Sequence, residues 1–325
     1  MNARSTLLCP ILALLGACAT PTVAPRKDLA ASAASAPVAG GAPASGSASA
    51  SALASASSEA PPEPPPPPYD LAADLAARRE KLTKIFGAKA RFEVVEGVFL
   101  IVSPSGALGN STVVARNALA AYYNGRFAAR PARALSVLLF DTAPPYEAHC
   151  RLRNGKDCTT PFGFYEPSDR TIVMNAGPGL GTLTHELVHP IVEADFPKAP
   201  TWIDEGLASL YEGFAFPRLG EIRGVKNWRH PALAAALREK TGRPTLPALF
   251  AMSDEDFRGD DESLHYATAR YFCQWMESQG KLWTFYQAWR DGHASDPTGV
   301  AAFTKVMGKA PAELDGAWHA WVLGL

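Results

Sequence analysis

His185-Glu186-Leu187-Val188-His189 sets two imidazoles four residues apart. On a helix this spacing stacks them on one face, where both can reach a single zinc ion at about 2.0–2.1 Å. Glu186 lies about 100° further round, beside the metal's open position, where a carboxylate can take a proton from a metal-bound water. Two imidazoles leave the coordination unfinished, and four carboxylates downstream compete to complete it: Glu193, Asp195, Asp204 and Glu205. Asp195, six residues after His189, imitates a spacing that needs a glycine turn where this chain has Val192, and it stands second. Thr201-x-x-Asp204 after Pro200 reads as a helix N-cap with a capping-box acid, which gives Asp204 a structural job. Glu205 is then left on the first turn of a second helix, free to face the metal.

The helix that carries the histidines should be buried on one side, because Leu183, Leu187 and Ile191 form an apolar stripe at i, i+4 and i+8. Pro190 removes a backbone donor and clashes with the carbonyl one turn back, so a kink or an early helix end is expected at His189. Upstream, the pattern predicts a charged helix over 70–86, strands over 92–95 and 98–103, a helix over 110–127 and a strand over 135–140. A cysteine-bearing loop and a short strand near Thr171 follow, and after Gly181 the pattern is almost wholly helical. The tryptophans of the last helices, Trp283, Trp289, Trp318 and Trp321, have the spacing of core packing rather than of a ligand box.

His185-Glu186-x-x-His189 together with Trp202-x-x-Glu205-Gly206-x-Ala208 resembles the gluzincin zinc metallopeptidases, specifically the bacterial peptidase-MA-like group, over most of the region 92–325. The resemblance implies an α+β, two-lobe zincin-like fold. An N-terminal α/β lobe with an edge strand would span about 69–195, a mostly helical lobe about 196–325, and Zn2+ would sit between them. It also implies that Glu186 is the general base and that His185, His189 and Glu205 are the ligands. The run 170–175 resembles the edge strand that pairs with extended substrate in such enzymes, which makes Ile172, Val173 and Met174 candidate substrate-binding residues. In the family a tyrosine or histidine on a later helix donates to the developing oxyanion, and here His265 and Tyr266 are the candidates. Neighbours on a helix diverge by about 100°, so only one of them can face the metal. The family pattern favours Tyr266.

The amino terminus carries a second message. One arginine precedes an apolar stretch over 6–17 that is too short to span a bilayer, and Leu15-Gly16-Ala17-Cys18 ends it. This resembles a bacterial lipobox and implies cleavage and acylation at Cys18, giving an exported lipoprotein anchored in the bacterial cell envelope, at the outer membrane or cell surface. Residues 19–68 are Ala, Ser, Gly and Pro with few large apolar side chains. They cannot offset chain entropy by burial and read as a disordered tether, reaching tens of ångströms at about 5–6 Å times the square root of residue number. The folded domain is expected over 69–325.

Of five cysteines, Cys9 and Cys18 belong to this leader, leaving Cys150, Cys158 and Cys273. Cys150 and Cys158 flank an Asn154-Gly155 turn, so a disulfide closing a hairpin is expected in an oxidising compartment, with Cys273 a buried thiol. A net charge of −1 with both signs interspersed gives no footprint for nucleic acid. The reading is therefore a zinc-dependent hydrolase acting on a peptide or protein substrate. The alternative is a surface-tethered, non-catalytic binding module that keeps the metal fold; an intact Glu186 argues against it.

Overall fold

Three apolar runs, Phe-Leu-Ile-Val-Ser, Leu-Ser-Val-Leu-Leu-Phe and Thr-Ile-Val-Met-Asn, are buried at every position, as strands covered on both faces must be. The computed structural model describes residues 68–325 apart from Lys240. The leader 1–18 with Cys18, and the tether up to residue 67, lie outside the described residues. The fold is α+β. Helix α1 (Leu71–Phe86) precedes the hairpin β1 (Arg91–Val95) and β2 (Phe99–Ser103), whose turn puts Glu96 and Gly97 at φ 52° and 74°. Then come α2 (Ser111–Tyr123), β3 (Leu135–Phe140), α3 (Ala143–Asn154), β4 (Gly163–Glu166) and β5 (Thr171–Asn175).

These strands form one mixed sheet in the order β1-β2-β3-β5-β4, parallel from β2 through β5 and antiparallel at both margins. Side chains alternate between its faces. Ile101, Val137, Ile172 and Met174 join the core that holds the histidine helix, whereas Leu100, Val102, Leu138 and Val173 pack with Leu82 of α1 and Tyr146 and Cys150 of α3.

The strand expected at the sheet margin is therefore interior. β5 is bonded to β3 on one side and β4 on the other, so its amides and carbonyls are taken. Ile172, Val173 and Met174 are each 0% exposed. They cannot pair with a substrate, and the margin belongs to β4, which the sequence pattern passed over. The cysteine segment also differs from the expected hairpin. Pro144 and Pro145 open α3, and Gly155, at φ 67°, closes it with its N–H bonded to the Arg151 carbonyl. The Cys150–Cys158 disulfide is formed, and it ties this helix end to the following loop rather than closing two strands.

The remaining chain is helical but for a two-residue ladder. It comprises α4 (Gly181–Glu186), α5 (Val188–Asp195), α6 (Thr201–Leu210), β6 (Phe214–Ala215), β7 (Arg223–Gly224), α7 (His230–Ala236), α8 (Leu246–Ala251), α9 (Asp254–Phe257), α10 (Glu262–Ser278), α11 (Leu282–Gly292), α12 (Val300–Met307) and α13 (Pro311–Leu323). α6 lies tight against α10 because Gly206 has no side chain: a Cβ there would meet Cys273 Sγ at 3.0 Å and the Ala269 carbonyl at 3.1 Å. Cys273 is a free, buried thiol. Trp202 stacks on Trp289 at 5.3 Å and Trp289 on Phe285 at 5.5 Å. Trp318 is fully buried, and Trp283 and Trp321 pack at the margin of this core. No helix among the described residues is long and apolar enough to cross a membrane.

Candidate metal centre

The histidine helix is interrupted at Leu187, earlier than expected, and α5 then runs through Pro190 to Asp195. The position follows from the chemistry of proline. Its missing N–H is the one that would have bonded the carbonyl of Glu186, four residues back, so the ladder breaks there and not at His189. The two imidazoles stay one turn apart, with ring centroids separated by 5.0 Å.

Two contacts bring the second segment to this helix. Thr184 Oγ1 donates to the Tyr211 carbonyl at 2.6 Å, and Gly181 comes so close that a Cβ would lie 2.1 Å from the Glu212 carbonyl oxygen. Behind them the Tyr122 hydroxyl donates to the Thr184 carbonyl at 2.8 Å. α4 is thus seated on the C-terminal end of α6, which carries Glu205.

In this arrangement Glu205 Oε2 stands 3.4 Å from His185 Nε2 and 3.9 Å from His189 Nε2. One nitrogen of each ring and one oxygen of Glu205 fall within 4.8 Å of one another. Glu205 is 5% exposed, and its Oε2 is buried with no hydrogen-bond partner. An ionised oxygen left so in a low-dielectric pocket calls for a cation. Two imidazole nitrogens and a carboxylate oxygen, donated by separate segments, fit a zinc ion that keeps a fourth position open.

The opposite edges of the rings are held by further carboxylates. His189 Nδ1 lies 3.0 Å from Asp204 Oδ2. His185 Nδ1 lies 3.4 Å from Glu212 Oε1, a charge contact without the direction of a hydrogen bond, and Glu212 is fixed by a two-pronged contact from Arg229 at 2.8 and 2.7 Å. These partners favour Nδ1–H and turn the Nε2 lone pairs to the common point. Burial pulls both imidazoles down, but the carboxylates outweigh it. Asp204 and Glu205 hold His189 up at about 9, and Glu205 and Glu212 hold His185 well above its ordinary value. Burial raises the Glu205 carboxyl, yet His189, His185 and Arg258 bring it far below the usual range. Glu186, 6% exposed, is pushed up by desolvation.

Asp204 does not perform the capping role expected of it. Pro200 is the N-cap of α6 without a side-chain bond, and the Thr201 N–H donates instead to Asp254 at 2.8 Å. The other competitors lie elsewhere. Glu193 accepts from the Tyr165 hydroxyl, and Asp195 accepts the N–H groups of Ala128 and Ala129 and two bonds from Arg290. Tyr266 turns toward the centre, its hydroxyl 2.7 Å from Arg258 Nη1, while Arg258 Nη2 donates to Glu205 Oε1 at 2.5 Å. His265 points away: its Nδ1 is 3.1 Å from the Phe257 carbonyl.

Glu212, Arg229 and Arg258 were not singled out from the sequence, and Asp204 was weighed as a ligand and set aside as a cap rather than seen as the partner of His189. Glu212 carried a usable signal, since it follows Glu205 by seven residues, two helical turns on the same face. The arginines come from loops and left none. A cavity of about 710 Å³ lies on the far face of the sheet between α1 and α3, lined in part by Arg78, Arg153 and Arg170. Its arginines are already paired with Asp74 and Asp169, and it touches none of the residues above. No protein-family model matches this chain, and no curated protein does.

Proposed function

We propose that this protein is a zinc-dependent peptidase of gluzincin type, with the sheet layer and the late helices acting as the two lobes of a zincin-like fold. The observation that carries the reading is the buried, partnerless Oε2 of Glu205 facing two imidazoles one helical turn apart. His185, His189 and Glu205 would hold the ion. When bound, zinc supplies Lewis acidity and makes its water acidic enough to lose a proton near neutrality.

Glu186 would accept the proton of the attacking water and return it to the leaving amine; a carboxyl raised by burial is matched to that exchange. The Tyr266 hydroxyl donates to the oxyanion as it develops. Asp204 would orient His189, Glu212 would face Nδ1 of His185, and the two carboxylates would offset part of the positive charge of the loaded site. An extended peptide pairs along the outer edge of β4, the terminal strand beside α4, in place of the interior β5. The Cys150–Cys158 disulfide supports an exported protein, in line with the leader and the acylated Cys18 proposed from the sequence.

The test is metal analysis of the full chain together with hydrolysis of a mixed peptide library by the parent and Glu186→Gln. One zinc per chain in both, with cleavage by the parent alone, is the expected result. Stoichiometric zinc with no cleavage by either protein would instead make this a metal-containing binding module.

A further inference from the structure

Arg258 reaches the centre from the turn between α9 and α10. Its position is built from α6, because Asp254 at the start of α9 accepts the first N–H of α6 and Phe257 is fully buried. From there the guanidinium forks. Nη2 takes Glu205 Oε1, while Nη1 takes the Tyr266 hydroxyl and, at 2.9 Å, Glu262 Oε1. Arg229 also lies over the Tyr266 ring, 4.8 Å from its centroid, and is itself locked on Glu212. Tyr266 is therefore held by two guanidiniums, each fixed on a carboxylate that faces His185.

A carboxylate offered to a cation has two oxygens, and nothing in Glu205 itself distinguishes them. Arg258 does, by engaging Oε1 and leaving Oε2 turned to the imidazoles. Without it the carboxylate is free to rotate and to offer either oxygen or both. We propose that Arg258 is a positioning residue that selects the Glu205 oxygen presented to the metal and sets the Tyr266 hydroxyl beside it. This rests on the zinc reading above.

The Arg258 side chain is about half exposed, 49%, but Glu205 is only 7% exposed, so removing the guanidinium lowers stability as well as positioning. Zinc affinity and melting temperature are therefore read side by side. In the full chain, Arg258→Gln is expected to fold, shown by a lowered but still cooperative melting transition of the metal-free protein, and to lose roughly 10–100-fold in zinc affinity measured against a chromophoric chelator. Its cobalt-substituted form should show altered visible bands, because a second carboxylate oxygen becomes available to the ion. Arg258→Lys restores a cation at Oε1 and should recover part of the lost affinity, but one ammonium cannot serve Glu205 and Tyr266 together, so kcat stays low with KM little changed.

Parent affinity and parent cobalt bands in Arg258→Gln overturn the proposal. So does parent kcat in Arg258→Lys, a result that decides the matter even if the glutamine variant does not fold. A parent chain that takes up no zinc at all fails differently: it removes the hydrolase reading on which this one stands.

Discussion

Asp204 Oδ2 lies 3.0 Å from Nδ1 of His189, whose Nε2 faces the carboxylate of the next residue in the chain. Adjacent positions on a helix diverge by about 100°, so Asp204 and Glu205 approach the same imidazole from its two edges. One holds the ring and the other would share its cation. α6 therefore supplies both the candidate third ligand and the orientation of the second imidazole.

Replacing Asp204 by alanine is expected to lower zinc affinity roughly 10–100-fold, the usual cost of losing the partner that fixes a ligating imidazole. The fold should survive, since Asp204 caps nothing. Competition with a chelator measures the affinity, and an unchanged value would show that His189 is oriented by packing alone.

Gly181→Ala should damage the site through the backbone. Exchanging glycine for alanine within a helix ordinarily gains about 1 kcal/mol, but a Cβ at 2.1 Å from the Glu212 carbonyl forces α4 off its seat, and overpacking of this kind costs about 1–3 kcal/mol. The clash is expected to win, giving a lower melting temperature and weaker zinc binding together. Gly316→Ala in α13, where nothing lies within 4 Å, is the control and should gain about 0.5–1 kcal/mol. Equal and opposite signs are not required; a stabilised Gly181→Ala would show that α4 is not seated as described.

Asp195, considered from the sequence as a third ligand, makes a different prediction. It is 8% exposed, accepts two backbone N–H groups from the segment after α2, and pairs with Arg290 of α11 at 2.8 Å. Asp195→Ala leaves the two backbone donors unsatisfied and Arg290 with Asp291 as its remaining carboxylate, a loss of about 1–3 kcal/mol for each buried donor left without a partner. Denaturant unfolding should show that loss with zinc stoichiometry intact. Loss of zinc with unchanged stability would restore Asp195 as a ligand.

Local rules carried the sequence reading furthest where one segment decides its own fate. The pattern placed β3 at residues 135–140, where the strand Leu135–Phe140 lies, and the HExxH spacing set His185 and His189 ring to ring. Glu205 was reached by setting Asp204 aside as a cap and by the resemblance of the Trp202–Ala208 segment, although the cap that set Asp204 aside is not formed. The errors are tertiary in origin. Whether β5 is an edge or an interior strand depends on where β4 docks, and four residues of Gly-Phe-Tyr-Glu carry too little periodicity to announce a strand. Asp204 fitted a capping pattern that is purely local, and only the fold reveals that His189 claims it first. α3 was hidden behind its two prolines and its cysteine, each of which reads equally well as loop.

Acid and metal compete for the same ring nitrogens. His189 is held at about 9 by Asp204 and Glu205, and His185 is raised by Glu205 and Glu212, so the rings of the metal-free chain hold their protons more tightly than a free imidazole does. A folded-state value above the unfolded one means that the proton stabilises the fold. That contribution is complete below 6.5 and is lost as pH rises through about 9. A cation needs the deprotonated rings, so its binding strengthens over the same window and releases protons. The melting temperature of the metal-free protein should therefore fall between these limits while the increment given by zinc grows. Zinc titrations near neutrality in two buffers of different ionisation enthalpy should differ in heat by the protons released. A metal-free protein that becomes steadily more stable across this range, with buffer-independent heats, would mean that the carboxylates of Asp204, Glu205 and Glu212 do not hold these imidazoles protonated.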